Sequence, residues 1–215
     1  MSNVVLQFPY ALKALPETLE AKWDSQDFAQ YRDGFPEEYR SSRPALTAHV
    51  EDLVARDVKA PYLKSLQGYL WETGYRSGEL TAPLFADVAP RLAAWRKESI
   101  QIMIYSSGSV PAQKLLFKHT NGQPRDLMPL ITDFFDTVNA GPKVQAASYE
   151  KIAAKYPQYP AEAWLFLSDN LDEVRSAIDA GMQSFVVQRP GNPELPTGTE
   201  ERFKVVGSFD ELESP

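Results

Sequence analysis

Three groups of polar side chains in this sequence could together bind a phosphate ester and a metal ion. They are Ser106 with Ser107, Lys143 and Asp169. Serine hydroxyls and backbone N–H groups at a helix start bind phosphate oxygens, and a lysine ammonium neutralises phosphate charge. An aspartate supplies the carboxylate oxygen that Mg²⁺ prefers. The three groups fall at successive predicted strand ends, where ligands of parallel sheets bind. The pattern therefore favours a site for phosphate and metal.

Each group also has a simpler structural explanation. Ser109, before Val110, could cap a helix without any ligand, and Asp169 could be the N-cap of the helix that follows it. Lys143 is predicted at the start of a helix, where the dipole disfavours a cation by about 0.3–1 kcal/mol. It could therefore either meet an anion or turn into water. The polar residues next to Asp169 could complete a metal shell or cap the helix: Asn170, Asp172 and Glu173.

Serine hydrolase chemistry is a poor explanation of these serines, because it needs a histidine nearby. The chain has 2 histidines and no cysteine. His49 lies on an apolar helical stripe, where we expect a buried structural residue, and His119 lies a helix's length beyond Ser107. The lack of cysteine excludes disulfides, thiolate nucleophiles and metal sites built on sulfur.

The second part of the chain, from Pro83 onward, alternates short apolar runs with helical patterns. This alternation is typical of an α/β fold with a parallel sheet and crossover helices. The predicted strands are residues 100–105, 134–135, 164–167, 185–187 and 203–206.

The first part, from Pro9 to Gly78, is predicted to be helical, with Gly74 and Gly78 at the end of its last helix. Its clearest helix has an apolar stripe at spacings of three and four, made by Leu46, His49, Val50, Leu53 and Val54, with Ser42 as a cap. We predict three segments: a divergent N-terminal segment at 1–9, a helical cap at 10–82 and an α/β core at 83–215.

Composition excludes several other classes of function. The 22 basic and 29 acidic residues give a net charge of −7, which repels nucleic acids and anionic lipid surfaces. No apolar stretch approaches the roughly 18 residues of a membrane span, and the first residues lack the basic region of a secretory signal. We expect a small-molecule substrate, a monomer, and a location in the cytosol, with passive entry into the nucleus at 24.1 kDa.

The order of a Ser/Thr after one strand, a Lys and then an acidic metal ligand is typical of the haloacid dehalogenase-like hydrolases. More closely, the chain resembles the enolase-phosphatases of the methionine salvage pathway, from about Phe8 to Leu212. The blocks that resemble this family are Leu66–Trp71, Phe85–Val88, Ile104–Val110, Ala112–Phe117, Phe166–Asn170 and Arg189–Asn192.

The resemblance implies a Rossmann-like parallel sheet with a helical cap, and one Mg²⁺ per subunit. It also implies conversion of 2,3-diketo-5-methylthiopentyl-1-phosphate into the acireductone 1,2-dihydroxy-3-keto-5-methylthiopentene. By position, Ser106 and Ser107 bind the phosphate, Lys143 neutralises it and Asp169 binds Mg²⁺. The cap is expected to close over the methylthio end of the substrate and exclude water.

One family motif is absent from this sequence. Family members begin with a strand that ends in Asp-x-Glu-Gly-Thr, whose Asp is a metal ligand and, in related phosphatases, the nucleophile. We therefore identify no catalytic nucleophile, expect the first central strand of the sheet to be missing, and expect the chain as written to be nearly inert. Asp133 and Asp136 lie near a predicted strand, where a loop or cap role explains them.

Two hypotheses follow from the absent motif. In the first, the chain is an enolase-phosphatase whose true start lies upstream. In the second, it is a truncated, catalytically inactive relative that still binds phosphoesters.

Overall fold

The computed structural model describes residues 4–212, and their side chains from Pro9 onward. These residues form two compact units, 4–81 and 82–212. The first unit is helical and the second combines helices with parallel strands. Of the segment predicted at 1–9, residues 1–3 lie outside the described residues and residues 4–9 belong to the first helix. The roles of the units as cap and core stay predictions.

The helical unit packs its helices through apolar stripes, as the sequence predicts. In the third helix, Leu46, Val50 and Leu53 are buried. Ser42 Oγ accepts a hydrogen bond from Ala45 N–H (3.3 Å), which makes Ser42 the expected N-cap. The helices are α1 (Val4–Lys22), α2 (Gln26–Asp33), α3 (Arg43–Ala55) and α4 (Pro61–Ser77).

His49 has a packing role but is half-buried, so the expectation of a buried histidine was wrong. Its ring stacks on Tyr39, with ring centroids 3.6 Å apart, and its Nε2 lies 3.2 Å from the hydroxyl of Tyr62. The ring therefore has a hydrogen-bond partner in Tyr62 and a stacking partner in Tyr39 without being fully buried.

Gly74 lies inside α4 and not at its end. A Cβ atom at this position would lie 2.5 Å from the ring of Tyr10, so the missing side chain allows α1 and α4 to approach closely. The helix ends instead at Gly78, which adopts a left-handed conformation with φ of 84°.

The second unit confirms the predicted alternation of helices and strands, although some strands are shorter than predicted. Its elements are α5 (Val88–Lys97), β1 (Met103–Tyr105), α6 (Val110–Lys118), β2 (Asp133–Phe135), α7 (Ala146–Ala153), β3 (Leu165–Ser168), α8 (Leu171–Asp179), β4 (Gln183–Val187) and β5 (Val205–Val206). Three short 3₁₀ helices complete it: Met128–Leu130, Ala161–Ala163 and Phe209–Glu211.

All strand pairs in this unit are parallel. β1 pairs with β2, β3 pairs with β4, and β4 pairs with β5. Within residues 4–212, the strands form two sheets, one of two strands and one of three, because no described strand joins β1 to β3. We expected these strands in one sheet, which the described residues do not form, and the absence of the first central strand stays a prediction.

Apolar side chains fill the space between these strands and their helices. Val88 and Leu92 of α5 and Phe117 of α6 form one core cluster with Phe134 of β2. On α8, Val174 is completely buried. Within the described residues, no helix is both long enough and apolar enough to cross a membrane.

Candidate active site

The chain turns sharply at the carboxyl end of β1. Ser106 N–H donates to the carbonyl oxygen of Phe135 (3.1 Å), which continues the pairing of β1 with β2. Ser106 Oγ then accepts from Gly108 N–H (3.2 Å), while Ser107 and Gly108 are exposed. Helix α6 begins at Val110, directly after this turn. Exposed hydroxyl and backbone groups next to a helix start can bind phosphate oxygens.

The start of α6 is capped by a carboxylate from the neighbouring strand end. Ser109 occupies the N-cap position without a side-chain hydrogen bond, and Val110 N–H donates to Asp136 Oδ2 (3.0 Å). Asp136 Oδ1 accepts from Val138 N–H and Asn139 N–H, both at 2.9 Å. Burial opposes the charge of Asp136, but these backbone hydrogen bonds keep its pKa below the ordinary value. Asp136 therefore has a structural role, as the sequence suggested.

Two other polar side chains support this region from inside. Gln113 is buried, and its Nε2 donates to the carbonyl oxygens of Gly108 (2.7 Å) and Phe135 (2.9 Å). It ties the serine turn to β2, a role that local sequence patterns do not reveal.

Asp133 accepts a hydrogen bond from the hydroxyl of Tyr156 (2.9 Å). Burial and this hydrogen bond raise the pKa of Tyr156 to about 12.

Lys143 lies in the segment between β2 and α7, three residues before the helix begins at Ala146. The prediction that it starts a helix was wrong, so the helix dipole does not act on it as argued. Its Nζ lies 2.5 Å from Glu173 Oε2, and the two side chains are only 20% and 13% exposed. Lys143 is therefore not a surface lysine turned into water.

Glu173 connects Lys143 to the end of β3. The same oxygen, Oε2, accepts a hydrogen bond from Ser168 Oγ (2.7 Å). The Lys143 ammonium also lies 5.9 Å from the ring centroid of Tyr105, and its backbone carbonyl accepts from the Tyr149 hydroxyl (2.6 Å). Burial raises the pKa of both tyrosine hydroxyls, so they remain protonated donors. The lysine is thus fixed at its backbone and at its charged end.

Asp169 directly follows β3 and is exposed. It is not the N-cap of α8, because Asn170 takes that position and accepts hydrogen bonds from Asp172 N–H (2.9 Å) and Glu173 N–H (3.3 Å). Asp169 Oδ2 instead accepts a hydrogen bond from Asn192 Nδ2 (2.8 Å). The helix-cap explanation of Asp169 therefore fails, and its carboxylate remains a candidate ligand.

Lys143 lies close to residues that directly precede the other two predicted groups. Lys143 lies beside Tyr105, the residue before Ser106. It also pairs with the carboxylate that binds Ser168, the residue before Asp169. Lys143 is therefore adjacent to the carboxyl ends of both β1 and β3. His119 follows α6, so the helix separates it from the serine turn.

At the end of β3, the described residues can hold a hard divalent cation only if water molecules supply some of its ligands. Asp169 offers a carboxylate oxygen, and Mg²⁺ in proteins often uses one or two carboxylates together with waters and phosphate oxygens. Within residues 4–212, no group of three or more histidine, aspartate or glutamate side chains is arranged to hold a metal ion. The described residues thus fit an open site with one carboxylate anchor and not a closed protein cage.

Comparison with known proteins gives a clear family relationship. The chain is 71% identical over 205 residues to enolase-phosphatase E1 of Pyricularia oryzae, covering 95% of this chain and 89% of that protein. It is 66% identical over 206 residues to the enolase-phosphatase E1 of Podospora anserina, with 95% and 88% covered. No protein-family model matches the chain.

A solved structure gives the same picture of the fold. The UTR4 protein of Saccharomyces cerevisiae is 34% identical, with a TM-score of 0.84, and the match covers 96% of this chain and 91% of that one. YfnB of Bacillus subtilis, described as a HAD hydrolase and solved bound to magnesium, matches with a TM-score of 0.56 at 18% identity, covering 95% and 89%. The second match bears on the fold alone, and together they confirm the predicted haloacid dehalogenase-like fold.

Proposed function

Because the chain belongs to the enolase-phosphatase family, we propose that it acts on 2,3-diketo-5-methylthiopentyl-1-phosphate in methionine salvage. The reaction enolises the diketone and then transfers the phosphoryl group to water, which yields the acireductone 1,2-dihydroxy-3-keto-5-methylthiopentene. The identity of 71% over 205 residues is the observation that supports this proposal. It also favours an enzyme over a non-catalytic phosphoester-binding relative.

Substrate phosphate binds at the turn after β1 in this proposal. The hydroxyl of Ser107 is exposed, and Ser106 Oγ already accepts Gly108 N–H, which leaves its own O–H available to donate to an anion. Lys143 supplies positive charge. Its ammonium is held in place by Glu173 and is only 20% exposed, so it is positioned before a phosphate binds.

Asp169 anchors the divalent metal that the family implies, and Mg²⁺ is the ion we propose. When bound, the metal neutralises phosphate charge during phosphoryl transfer. The contribution of this chain is to place an oxygen ligand directly after β3.

The binding residues do not include a nucleophile. The printed sequence contains no Asp-x-Glu-Gly-Thr motif. Asp133 and Asp136 do not replace it, because both accept hydrogen bonds that stabilise the fold. We assign no residue to in-line attack or to enolisation. We further propose that the protein is a monomer of the cytosol, with passive access to the nucleus.

Phosphate release from the phosphorylated diketone tests this function. It is measured with Mg²⁺ for the 215-residue chain and for the same chain preceded by a strand that ends in the family motif. Turnover by the 215-residue chain supports the enzyme and overturns the expectation that it is inert, whereas turnover by the extended chain alone shows that the binding residues serve catalysis once the motif is present. If both chains bind the substrate without releasing phosphate, the non-catalytic alternative is correct.

Two substitutions in the active chain test the site. Lys143→Ala and Asp169→Asn are expected to abolish turnover, with losses of at least about 100-fold, because each removes a charge that stabilises the transferring phosphoryl group. The matched controls are Lys151→Ala on α7 and Asp179→Asn on α8, both exposed. Undiminished turnover after either site substitution removes that residue from the mechanism.

A further inference from the structure

Two blocks that resemble the family, Phe85–Val88 and Arg189–Asn192, have no role in the function proposed so far. The structure brings them together although they are about 100 residues apart in sequence. Arg189 Nη1 donates to Asp87 Oδ1 (3.1 Å), and Arg189 Nη2 donates to Asp87 Oδ2 (2.5 Å). Each side chain is only 9% exposed. The result is a buried, two-pronged ion pair inside the α/β unit.

The polar atoms of this ion pair have additional partners. Asp87 Oδ2 also accepts from Phe209 N–H (2.7 Å) and from Ser208 Oγ (3.1 Å). The guanidinium of Arg189 lies 4.8 Å from the ring centroid of Phe85 and 5.0 Å from that of Phe209. Burial alone would raise the pKa of Asp87, but the hydrogen bonds from Arg189 and its other donors keep it below the ordinary value. Arg189 is therefore held in one position.

The backbone of Arg189 begins a closed turn that fixes the amide of Asn192. Arg189 N–H donates to Asn192 Oδ1 (2.7 Å), and Asn192 N–H donates back to the Arg189 carbonyl (3.0 Å). Gly191 completes the turn with a φ of 91°. Because Oδ1 must accept from a backbone N–H, the hydrogen-bond network assigns Nδ2 to the other side of the amide. That side faces Asp169 Oδ2, at 2.8 Å.

We propose that Asn192 is a positioning residue for the metal anchor Asp169, and that the buried pair of Arg189 and Asp87 holds it there. The inference rests on the proposed function, since it assigns Asp169 to the metal. The hydrogen bond from Nδ2 fixes the rotation of the Asp169 carboxylate, so that its oxygens are held in one orientation. Partners of this kind tune metal affinity by about 10–100-fold in other metal sites.

A purely structural role for Asn192 predicts a different behaviour. If its amide only closes the turn after β4, its loss lowers stability and leaves metal affinity unchanged. If it orients Asp169, its loss lowers metal affinity even where the fold is intact. The two roles are separated by measuring binding and unfolding on the same variants.

The experiment measures Mn²⁺ binding to the 215-residue chain by electron paramagnetic resonance, with Mg²⁺ as competitor and without substrate. Asn192→Ala is expected to weaken Mn²⁺ binding about 10-fold. Glu194→Ala, an exposed change in the same loop, is the matched control and is expected to bind Mn²⁺ like the wild type. Urea unfolding of each variant shows whether the fold is retained.

Asp169→Asn distinguishes failure of this inference from failure of the proposed function. If Asp169→Asn abolishes Mn²⁺ binding while Asn192→Ala binds within twofold of wild type, the positioning role is wrong and the metal anchor stands. If Asp169→Asn binds Mn²⁺ normally, or if the wild type binds none, the metal assignment fails and the inference fails with it.

A second variant tests whether the buried ion pair acts through Asn192. Arg189→Lys keeps the charge but loses the two-pronged geometry, so the turn loosens and Mn²⁺ binding weakens. The double variant with Asn192→Ala is then expected to bind no more weakly than Asn192→Ala alone, because both changes remove one positioning effect. Fully additive losses would show that Arg189 acts by another route and would overturn that part of the proposal.

Discussion

The turn that follows β1 offers a ligand neutral groups of its own residues, whereas the residues that follow β3 include charged ones. Around Ser106 and Ser107, hydroxyls and backbone N–H groups lie in an exposed turn, and the supporting carboxylate of Asp136 is buried beneath them. At the end of β3, the carboxylates of Asp169 and Glu173 have side-chain partners from distant segments.

The difference follows from the cost of removing charge from water. A turn of neutral donors is stable if its backbone is held, so one buried carboxylate that accepts three N–H groups is sufficient. A partly buried charge needs an opposite charge or several hydrogen bonds. We therefore expect the turn after β1 to lose stability when Asp136 is removed. We expect the end of β3 to lose stability when one partner of an ion pair is removed.

Removal of the support beneath the β1 turn should have the largest effect on stability. Asp136→Ala leaves the N–H groups of Val110, Val138 and Asn139 without their acceptor, and we expect it to lower the free energy of unfolding by about 3 kcal/mol. Urea unfolding followed by circular dichroism measures this loss.

The control for Asp136→Ala is Asp126→Ala. It removes an exposed carboxylate that accepts one N–H, from Met128 (2.9 Å), and should lower the free energy of unfolding by less than about 1 kcal/mol. Similar losses in both variants would mean that the three hydrogen bonds of Asp136 are not what stabilises the turn.

Loss of pairing at the β3 end should have the next largest effect. Glu173→Gln keeps an oxygen that can accept from Ser168 but leaves the Lys143 ammonium, 20% exposed, without its counter-charge. We expect a loss of about 1–2 kcal/mol in the free energy of unfolding at neutral pH. The value stays below that of a fully buried pair because water reaches part of both side chains.

The matched control on the same helix is Asp172→Asn. It breaks an ion pair with Arg175 whose side chains are 51% and 69% exposed, so the expected loss is below about 1 kcal/mol. If Glu173→Gln is as mild as this control, then the pair at the β3 end behaves as a surface ion pair, and the contrast between the two strand ends weakens.

The pH dependence of the free energy of unfolding tests the role of Asp136 beneath the turn after β1. The pKa of Asp136 is below its ordinary value in the folded state, so its contribution is complete above the unfolded pKa of about 3.9. That contribution is lost as the pH falls through the folded-state pKa. The difference in unfolding free energy between wild type and Asp136→Asn should therefore be largest near neutral pH and shrink in acid. A difference that stays constant below pH 4 would contradict this assignment.

Local patterns predicted the elements of the fold because each is encoded within a few residues. The apolar run before Ser106 and the run before Asp169 marked β1 and β3. The same patterns misjudged the neighbourhood of Lys143, since α7 begins three residues later than expected. Propensity and capping signals are weakest at helix boundaries, where tertiary contacts decide.

The partners within the site could not be predicted from the sequence, because they are long-range contacts. Glu173 lies 30 residues after Lys143, and the hydrogen bonds of Arg189 reach Asp87 across 102 residues. Each polar residue taken alone has an adequate explanation as a cap or a solvated charge. Only the folded structure shows which of these polar residues are buried in contact with one another. That shared burial distinguishes a site residue from a helix cap.

The smallest effect on stability, and the most specific one on binding, is expected at the exposed serine. Ser107→Ala should change the free energy of unfolding by less than about 0.5 kcal/mol, because the side chain is exposed. It should nevertheless weaken binding of inorganic phosphate about fivefold, the equivalent of one hydrogen bond. Ser106→Ala is the comparison, since it leaves Gly108 N–H without an acceptor and should also destabilise the turn by about 1 kcal/mol. The shift of the thermal unfolding midpoint with phosphate concentration measures affinity and stability together. Unchanged phosphate affinity in Ser107→Ala would show that this hydroxyl is not part of the phosphate site.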